Sequence, residues 1–377
     1  MRFDIPHAQD EPVLGSPLHF ALQADLHSFA ATVLKIRALQ ALDRSAARFP
    51  IHRRVRIAVR RPLEELFDDL ALESGLAAQR LDTASLLLEG PGVFVNALGR
   101  RKPGYSSGRF DIWAESLERL DEVRARLHDI AGEQRVREEI FTIDWRFHSP
   151  HLGLESVEFD ELADPALLDE AYPMLGEPVA AFIERYLNAS ETVLILQGPP
   201  GTGKTRLVRG ILAALTRRKR DSARVLYTAD RRTLESDEIF VEFITGSHEA
   251  FVVEDADHVL SPRADGNVDL HRFLAVADGV VRALGRKIIF TTNLPNVGDL
   301  DDALVRPGRC FGVVRTRGLE RTEVARLLNK VTGGDDDRIE QVEARLPREG
   351  RTATLADIFR AIAATAESDE PTQLSHK

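Results

Sequence analysis

The sequence predicts an α/β fold: a parallel, doubly wound sheet with short helices behind it and a separate α+β module in front. Three observations carry this. Leu194 to Thr205 reads as a buried apolar strand, a glycine-rich turn and a helix starting near Lys204. Short apolar strands recur at Val225 to Tyr227, Phe251 to Val253, Ile288 to Thr291 and Phe311 to Val314, with helical or loop segments between them; that alternation implies a parallel sheet. Upstream, between Val55 and Phe147, period-two and helical patterns follow one another in a different order.

The front module opens with apolar residues at helical spacing from Pro17 to about Phe49, an amphipathic helix. Val55, Ile57 and Val59 alternate with arginines as a half-buried strand. Pro62 opens a helix to about Glu73. Leu86 to Val95 reads as one strand that Gly90-Pro91-Gly92 must break or bulge. Phe110, Ile112 and Ala114 alternate again, Leu117, Leu120, Leu127 and Ile130 share a helical face, and Phe141, Ile143, Trp145 and Phe147 form the cleanest period-two pattern of the chain. After the first helix the order is β-α-β-β-α-β, the ferredoxin-like one. Arg100-Arg101-Lys102-Pro103-Gly104-Tyr105 is a basic hairpin loop, either a contact for an acidic partner or nucleic-acid backbone or a solvated turn.

From His151 to Glu184 acids accumulate with no Lys or Arg, and Pro165, Pro173 and Pro178 punctuate the stretch. This shift in composition places the boundary. The expected division is a module over 1–150, an acidic linker over 151–178, the sheet domain over 179–316, its trailing helices over 317–366 and a disordered tail over 367–377. A single cysteine, Cys310, excludes an internal disulfide framework and a thiolate zinc cluster. The net charge of -10 weighs against a surface built wholly for nucleic acid. No signal peptide or membrane-length apolar run is legible, so the expected setting is cytoplasmic, without a membrane.

The chemistry lies in the sheet domain. Gly198, Pro199, Pro200, Gly201, Thr202, Gly203, Lys204 and Thr205 satisfy G-x-x-x-x-G-K-[ST] in its strand–loop–helix context, a P-loop. The glycines let successive N–H groups turn inward as an anion nest, and the helix N-terminus adds partial positive charge. Lys204 can reach the β- and γ-phosphates of ATP, and the Thr205 hydroxyl can hold Mg²⁺. The strand Phe251-Val252-Val253 ends in Glu254 and Asp255, one acid for Mg²⁺ and one to position or activate water. Counted from the strand, Glu254 takes the metal position and Asp255 the water position; the pair is inverted relative to the usual Asp-Glu order, which leaves the division of roles open. Asn293 ends the next strand, Lys287 to Thr292, as a polar amide.

Leu300-Asp301-Asp302-Ala303-Leu304-Val305-Arg306-Pro307-Gly308-Arg309 follows at a fitting distance. With the three preceding motifs in order, this string resembles an AAA-family ATPase and its second region of homology, over roughly Leu154 to Ala364. The resemblance implies that Asn293 bridges the γ-phosphate and the attacking water. It also implies that Arg306 and Arg309 reach a neighbouring subunit's nucleotide within a homo-oligomeric ring, expected to be a hexamer. Helices over Leu319 to Val331, Asp336 to Leu346 and Thr354 to Thr365 then form a small lid. The region Thr228 to Asp237 lacks the aromatic pore triplet of protein-threading relatives. With the Glu254-Asp255 order and the nearby Asp257, this is similar to the Rieske-protein-translocase branch, although that branch carries an amino-terminal membrane helix that this sequence does not. The expected function is therefore an ATP-hydrolysing remodelling motor whose front module selects a protein client or adaptor. Two alternatives stand beside it. One is a nucleic-acid-associated loader or mobile-element factor, suggested by Arg100 to Lys102 and Arg217-Arg218-Lys219-Arg220; the other is a slow ATP-gated scaffold, suggested by the shorter Asp255. Ser261 to Gly266 is a further candidate for touching substrate.

Overall fold

The computed structural model describes residues 51–369 except 137–139, 152, 164–166, 220–222, 263–266, 268–269, 279–284 and 347–351. The helix expected before Phe49, most of the Ser261 to Gly266 loop, Arg220 and all but the first three residues of the expected tail lie outside the described residues. The chain divides into two units, Met1–Arg137 and Glu138–Lys377.

The first unit is α+β. Its elements are β1 Ile51–Val59, α1 Leu63–Glu73, β2 Ala77–Asp82, β3 Ser85–Gly90, β4 Val93–Lys102, β5 Tyr105–Ala114 and α2 Leu117–Ala131. The strands form a five-stranded antiparallel sheet in the order β1-β5-β4-β3-β2. Period-two patterning puts Val55, Ile57, Leu86, Leu88, Val93, Val95, Phe110 and Ile112 on one face, where they pack with Leu66, Phe67 and Leu70 of α1 and Leu120, Val123 and Leu127 of α2. The α2 N-terminus is capped by Ser116, whose Oγ accepts the Arg119 N–H at 3.1 Å.

This is not the ferredoxin-like order. Gly90-Pro91-Gly92 does not bulge one strand; it turns between two. Gly90 pairs with Val93, and Gly92 supplies a φ of 71°. The edge strand β2, Ala-Ala-Gln-Arg-Leu-Asp, carries no apolar alternation and so left no trace in the pattern. The strand expected to complete the module, Phe141 to Phe147, is absent from this sheet altogether.

That strand belongs to the second unit as β6 Ile140–Ser149. The rest of the unit, in order, is β7 Gly153–Leu162, α3 Val179–Asn188, β8 Val193–Gln197, α4 Lys204–Lys219, β9 Arg224–Thr228, α5 Arg231–Leu234, α6 Glu238–Thr245, β10 Ala250–Val253, α7 Asp257–Leu260, α8 Leu270–Asp278, β11 Lys287–Thr292, β12 Cys310–Arg315, β13 Leu319–Glu320, α9 Arg321–Thr332, α10 Asp336–Glu343, β14 Thr352–Ala353 and α11 Leu355–Asp369. The seven-stranded sheet has the order β12-β8-β11-β10-β9-β6-β7, parallel except for β7. The stretch expected to be an acidic linker is therefore partly strand. Its acids suit an edge position, where charge blocks further strand addition. Asp144 on β6 is buried, and Arg224 of β9 and His248, just before β10, compensate its charge.

Strands buried on both faces read as continuous apolar runs. On β8, Leu194 and Leu196 face a layer that includes Phe182, Leu207 and Ile211, whereas Val193 and Ile195 face Phe243, Phe251, Phe273 and Phe290. The first layer also contains Val324, Leu327, Leu328 and Ile358, so the trailing helices share the core under the glycine turn. The short β13–β14 pair joins the starts of α9 and α11. Thr354 caps α11, its Oγ1 accepting the Asp357 N–H at 3.2 Å.

Candidate nucleotide site

The glycine loop, Glu254 with Asp255, and Asn293 follow the carboxyl ends of β8, β10 and β11, the edge at which open α/β sheets bind ligands, whereas Arg306 and Arg309 precede β12 at its amino end. The turn between β8 and α4 needs its glycines. Gly198 has φ 151°, and a Cβ there would lie 2.1 Å from the Thr316 carbonyl oxygen; Gly203 has φ 91°, and a Cβ would lie 2.7 Å from Leu355 and 2.9 Å from the Tyr172 hydroxyl. Polar side chains fix the loop from below. Thr202 Oγ1 donates to the Pro199 carbonyl at 2.8 Å and lies 2.7 Å from Thr316 Oγ1, and the Tyr172 hydroxyl donates to the Gly203 carbonyl at 3.0 Å. The lid is tied to the same loop, since the Ala356 N–H donates to the Gly201 carbonyl at 3.0 Å.

Lys204 and the two acids occupy distinct positions. The Lys204 ammonium donates to Asn293 Oδ1 at 2.9 Å, to the Pro199 carbonyl at 3.0 Å and to the Gly198 carbonyl. Burial pulls its pKa below the ordinary lysine value, opposed by the charges of Asp255, Asp257 and Glu254. Glu254 uses both oxygens: Oε1 accepts the Thr205 hydroxyl at 2.8 Å and Oε2 accepts the Tyr227 hydroxyl at 2.8 Å. Asp255 turns the other way. It holds a left-handed backbone, φ 49°, its N–H donates to Thr291 Oγ1 at 3.2 Å, and its Oδ1 accepts Asn293 Nδ2 at 3.1 Å. A non-glycine residue in this region is uncommon and marks a place held by its surroundings. Asp257 accepts the Asn293 N–H at 2.9 Å and the Thr292 hydroxyl, which holds the end of β11 in place. The inversion in sequence thus becomes a spatial division, with Glu254 beside Thr205 and Asp255 beside Asn293 and Lys204.

These groups line a cleft of about 570 Å³ together with Pro200, Gly201, Leu355 and Phe359. A second, more apolar cavity of about 280 Å³ is lined by Leu167, Tyr172, Val331, Leu355 and Phe359, and shares Arg206 with the first. The Arg206 guanidinium lies 4.6 Å from the Phe359 ring centre. Neither Arg306 nor Arg309 lines the chain's own cleft. Arg306 is exposed, and Arg309 is half-buried with Nη1 donating to the Ala303 carbonyl at 2.8 Å.

The sequence did not point to Tyr227, Tyr172, Thr316, Arg206 or Phe359. Each acts through a contact that only pairing or packing creates. Tyr227 is one such case: β9 and β10 pair Tyr227 with Val252, and Glu254 follows Val252 by two residues on the same face.

The donor set fits Mg²⁺ held by a few hard oxygens with phosphate and water completing the shell, because Thr205 and Glu254 converge at the start of α4. Among the described residues no group of three or more His, Cys, Asp or Glu forms a self-sufficient metal cage.

Fold and glycine loop together define the class first: an α/β unit with a P-loop at the carboxyl edge of a largely parallel sheet. Residues 177–250, from α3 through the glycine loop to the start of β10, match the family model described as AAA domain. The chain is also similar to the vesicle-fusing ATPase of Dictyostelium discoideum, 25% identical over 198 residues, which cover 46% of this chain and 25% of that protein. Both similarities support an ATPase of the AAA family. The chain spans about a quarter of the relative's length. No helix among the described residues is long and apolar enough to cross a membrane.

Proposed function

We propose that the protein hydrolyses ATP as a Mg²⁺-dependent AAA-type ATPase that works as a homo-oligomer on a protein client. The observation that carries the reading is the two-sided site: Thr205 with Glu254 on one side, Lys204, Asn293 and Asp255 on the other. The nest of Gly198 to Gly203 and the Lys204 ammonium bind the β- and γ-phosphates. Thr205 and Glu254 would hold Mg²⁺, which would neutralise charge on the transferring phosphoryl group. Asp255 orients the attacking water and receives its proton, with Asn293 holding the carboxylate in place. The water oxygen bonds to the γ-phosphorus, and the bond from that phosphorus to the bridging oxygen breaks to leave ADP. The apolar cavity between Leu167, Tyr172 and Phe359 is the place for the base.

Arg306 supports the oligomer, since it is exposed and away from its own cleft; a second copy's site is its natural target, where it would offset charge at the phosphoryl group. The five-stranded unit is the part that selects the client. Placement in the Rieske-protein-translocase branch rests on the sequence between Thr228 and Asp237 and on the acid order, and neither match bears on it. Against the nucleic-acid alternative, three of the cations that suggested it have acidic partners, Arg101 with Glu64, Arg218 with Glu184 and Lys219 with Glu249.

The test is ATP turnover per subunit as protein concentration rises at excess Mg·ATP. Specific activity that climbs and then levels is expected, and Arg306→Ala should abolish the climb while nucleotide binding persists. Full turnover by Arg306→Ala at every concentration would refute the shared site.

A further inference from the structure

Glu254 presents a problem that the site has to solve. A glutamate has one more rotatable bond than an aspartate, so a carboxylate beside Thr205 can swing away unless something holds its far oxygen. Tyr227 supplies that hold: its hydroxyl donates to Glu254 Oε2 at 2.8 Å while Oε1 accepts the Thr205 hydroxyl at 2.8 Å. The phenol is itself braced. Its ring lies edge-on to Trp145, centroids 6.5 Å apart at 73°, and Trp145 packs in turn against Phe147 and Phe159 of the β6–β7 hairpin.

We infer that Tyr227 is the positioning residue for the metal-side carboxylate: it holds Glu254 in the arrangement that presents Oε1 beside Thr205, and thereby sets the site's affinity for Mg²⁺. The inference rests on the nucleotide-site reading above. It is independent of which acid activates water. Outer partners of this kind typically change metal affinity or activity by 10- to 100-fold when removed.

The test compares wild type, Tyr227→Phe, Glu254→Asp and the double variant. Binding of a fluorescent N-methylanthraniloyl ATP is followed in EDTA and then across a MgCl₂ titration. Phenylalanine keeps the ring against Trp145, so affinity in EDTA and the melting temperature should match wild type. The Mg²⁺ concentration that half-maximally tightens binding should rise roughly tenfold. In the Glu254→Asp background the shorter carboxylate no longer reaches residue 227, and the same substitution should have no further effect. An unchanged Mg²⁺ midpoint in Tyr227→Phe overturns the assignment. So does an equal loss of affinity in EDTA, which would mean a structural role, or a full effect persisting in the Glu254→Asp background. A wild-type protein that fails to bind the nucleotide at any Mg²⁺ concentration overturns the underlying site reading, and the inference with it.

Discussion

The division of labour between the two acids is open to direct test by Asp255→Asn alongside Glu254→Gln. Asp255→Asn removes a base without removing volume. The new side chain retains a carbonyl oxygen to accept from Asn293 Nδ2, now 3.1 Å from Asp255 Oδ1, and the backbone at φ 49° tolerates asparagine at least as well as aspartate. Folding and nucleotide affinity should therefore survive. A positioned general base contributes about 10²–10⁴ in rate, which corresponds to roughly 2.7–5.4 kcal/mol in the barrier at 1.36 kcal/mol per tenfold. Steady-state phosphate release should fall by that factor, and raising Mg²⁺ should not restore it. Glu254→Gln should behave differently. It weakens a carboxylate that faces Thr205, so its loss should be partly recovered at high Mg²⁺. The assay is phosphate release against MgCl₂ for the three proteins, with nucleotide affinity measured in parallel. If Asp255→Asn keeps near-wild-type turnover while Glu254→Gln is dead at all Mg²⁺ concentrations, the assignment is reversed and the inference from geometry is wrong.

Other consequences follow from the fold. Glu323 is buried beneath Arg317, which donates to both its oxygens at 2.7 and 2.8 Å; those hydrogen bonds, against the cost of burial, hold its pKa down at about 2. A depressed carboxylate contributes stability that is present above its unfolded value of 4.5 and is lost as pH falls towards 2. With Arg317 partly solvated, the contribution is about 1 kcal/mol; Glu323→Gln should lower the melting temperature at pH 7 and flatten its decline between pH 4.5 and 2, as read by circular dichroism. Phe251→Ala should cost about 3–5 kcal/mol in chemical denaturation, because Phe251 is fully buried among Phe240, Phe243 and Phe273 and its neighbours cannot collapse into the gap. Gly203→Ala should weaken both nucleotide binding and stability, since φ 91° strains alanine and the added Cβ meets the side chains of Leu355 and Tyr172 at the floor of the loop; unchanged affinity and melting temperature would count against the loop as a preformed cradle.

Local pattern by itself determined the parallel sheet and its glycine loop. Buried strands read as apolar runs because both faces are covered, and a turn that must bring amide groups inward admits only a narrow set of residues. The same logic located Lys204, Thr205, Glu254, Asp255 and Asn293, all of which the structure brings into one cleft. Tertiary structure alone decided the rest. Phe141 to Phe147 has the alternation of any half-buried strand, and nothing in that alternation says which sheet it joins. It pairs with β7 and β9, where the buried Asp144 meets Arg224 and His248, about 80–100 residues further along the chain. The acidic stretch after it passed for a linker because an edge strand needs only one pairing partner and tolerates charge on its free side. Tyr227 escaped for a related reason: a tyrosine in a strand is unremarkable until parallel register sets it beside Glu254. Motifs are legible where chemistry restricts residue type at neighbouring positions; pairings between distant positions become visible only when the chain has folded.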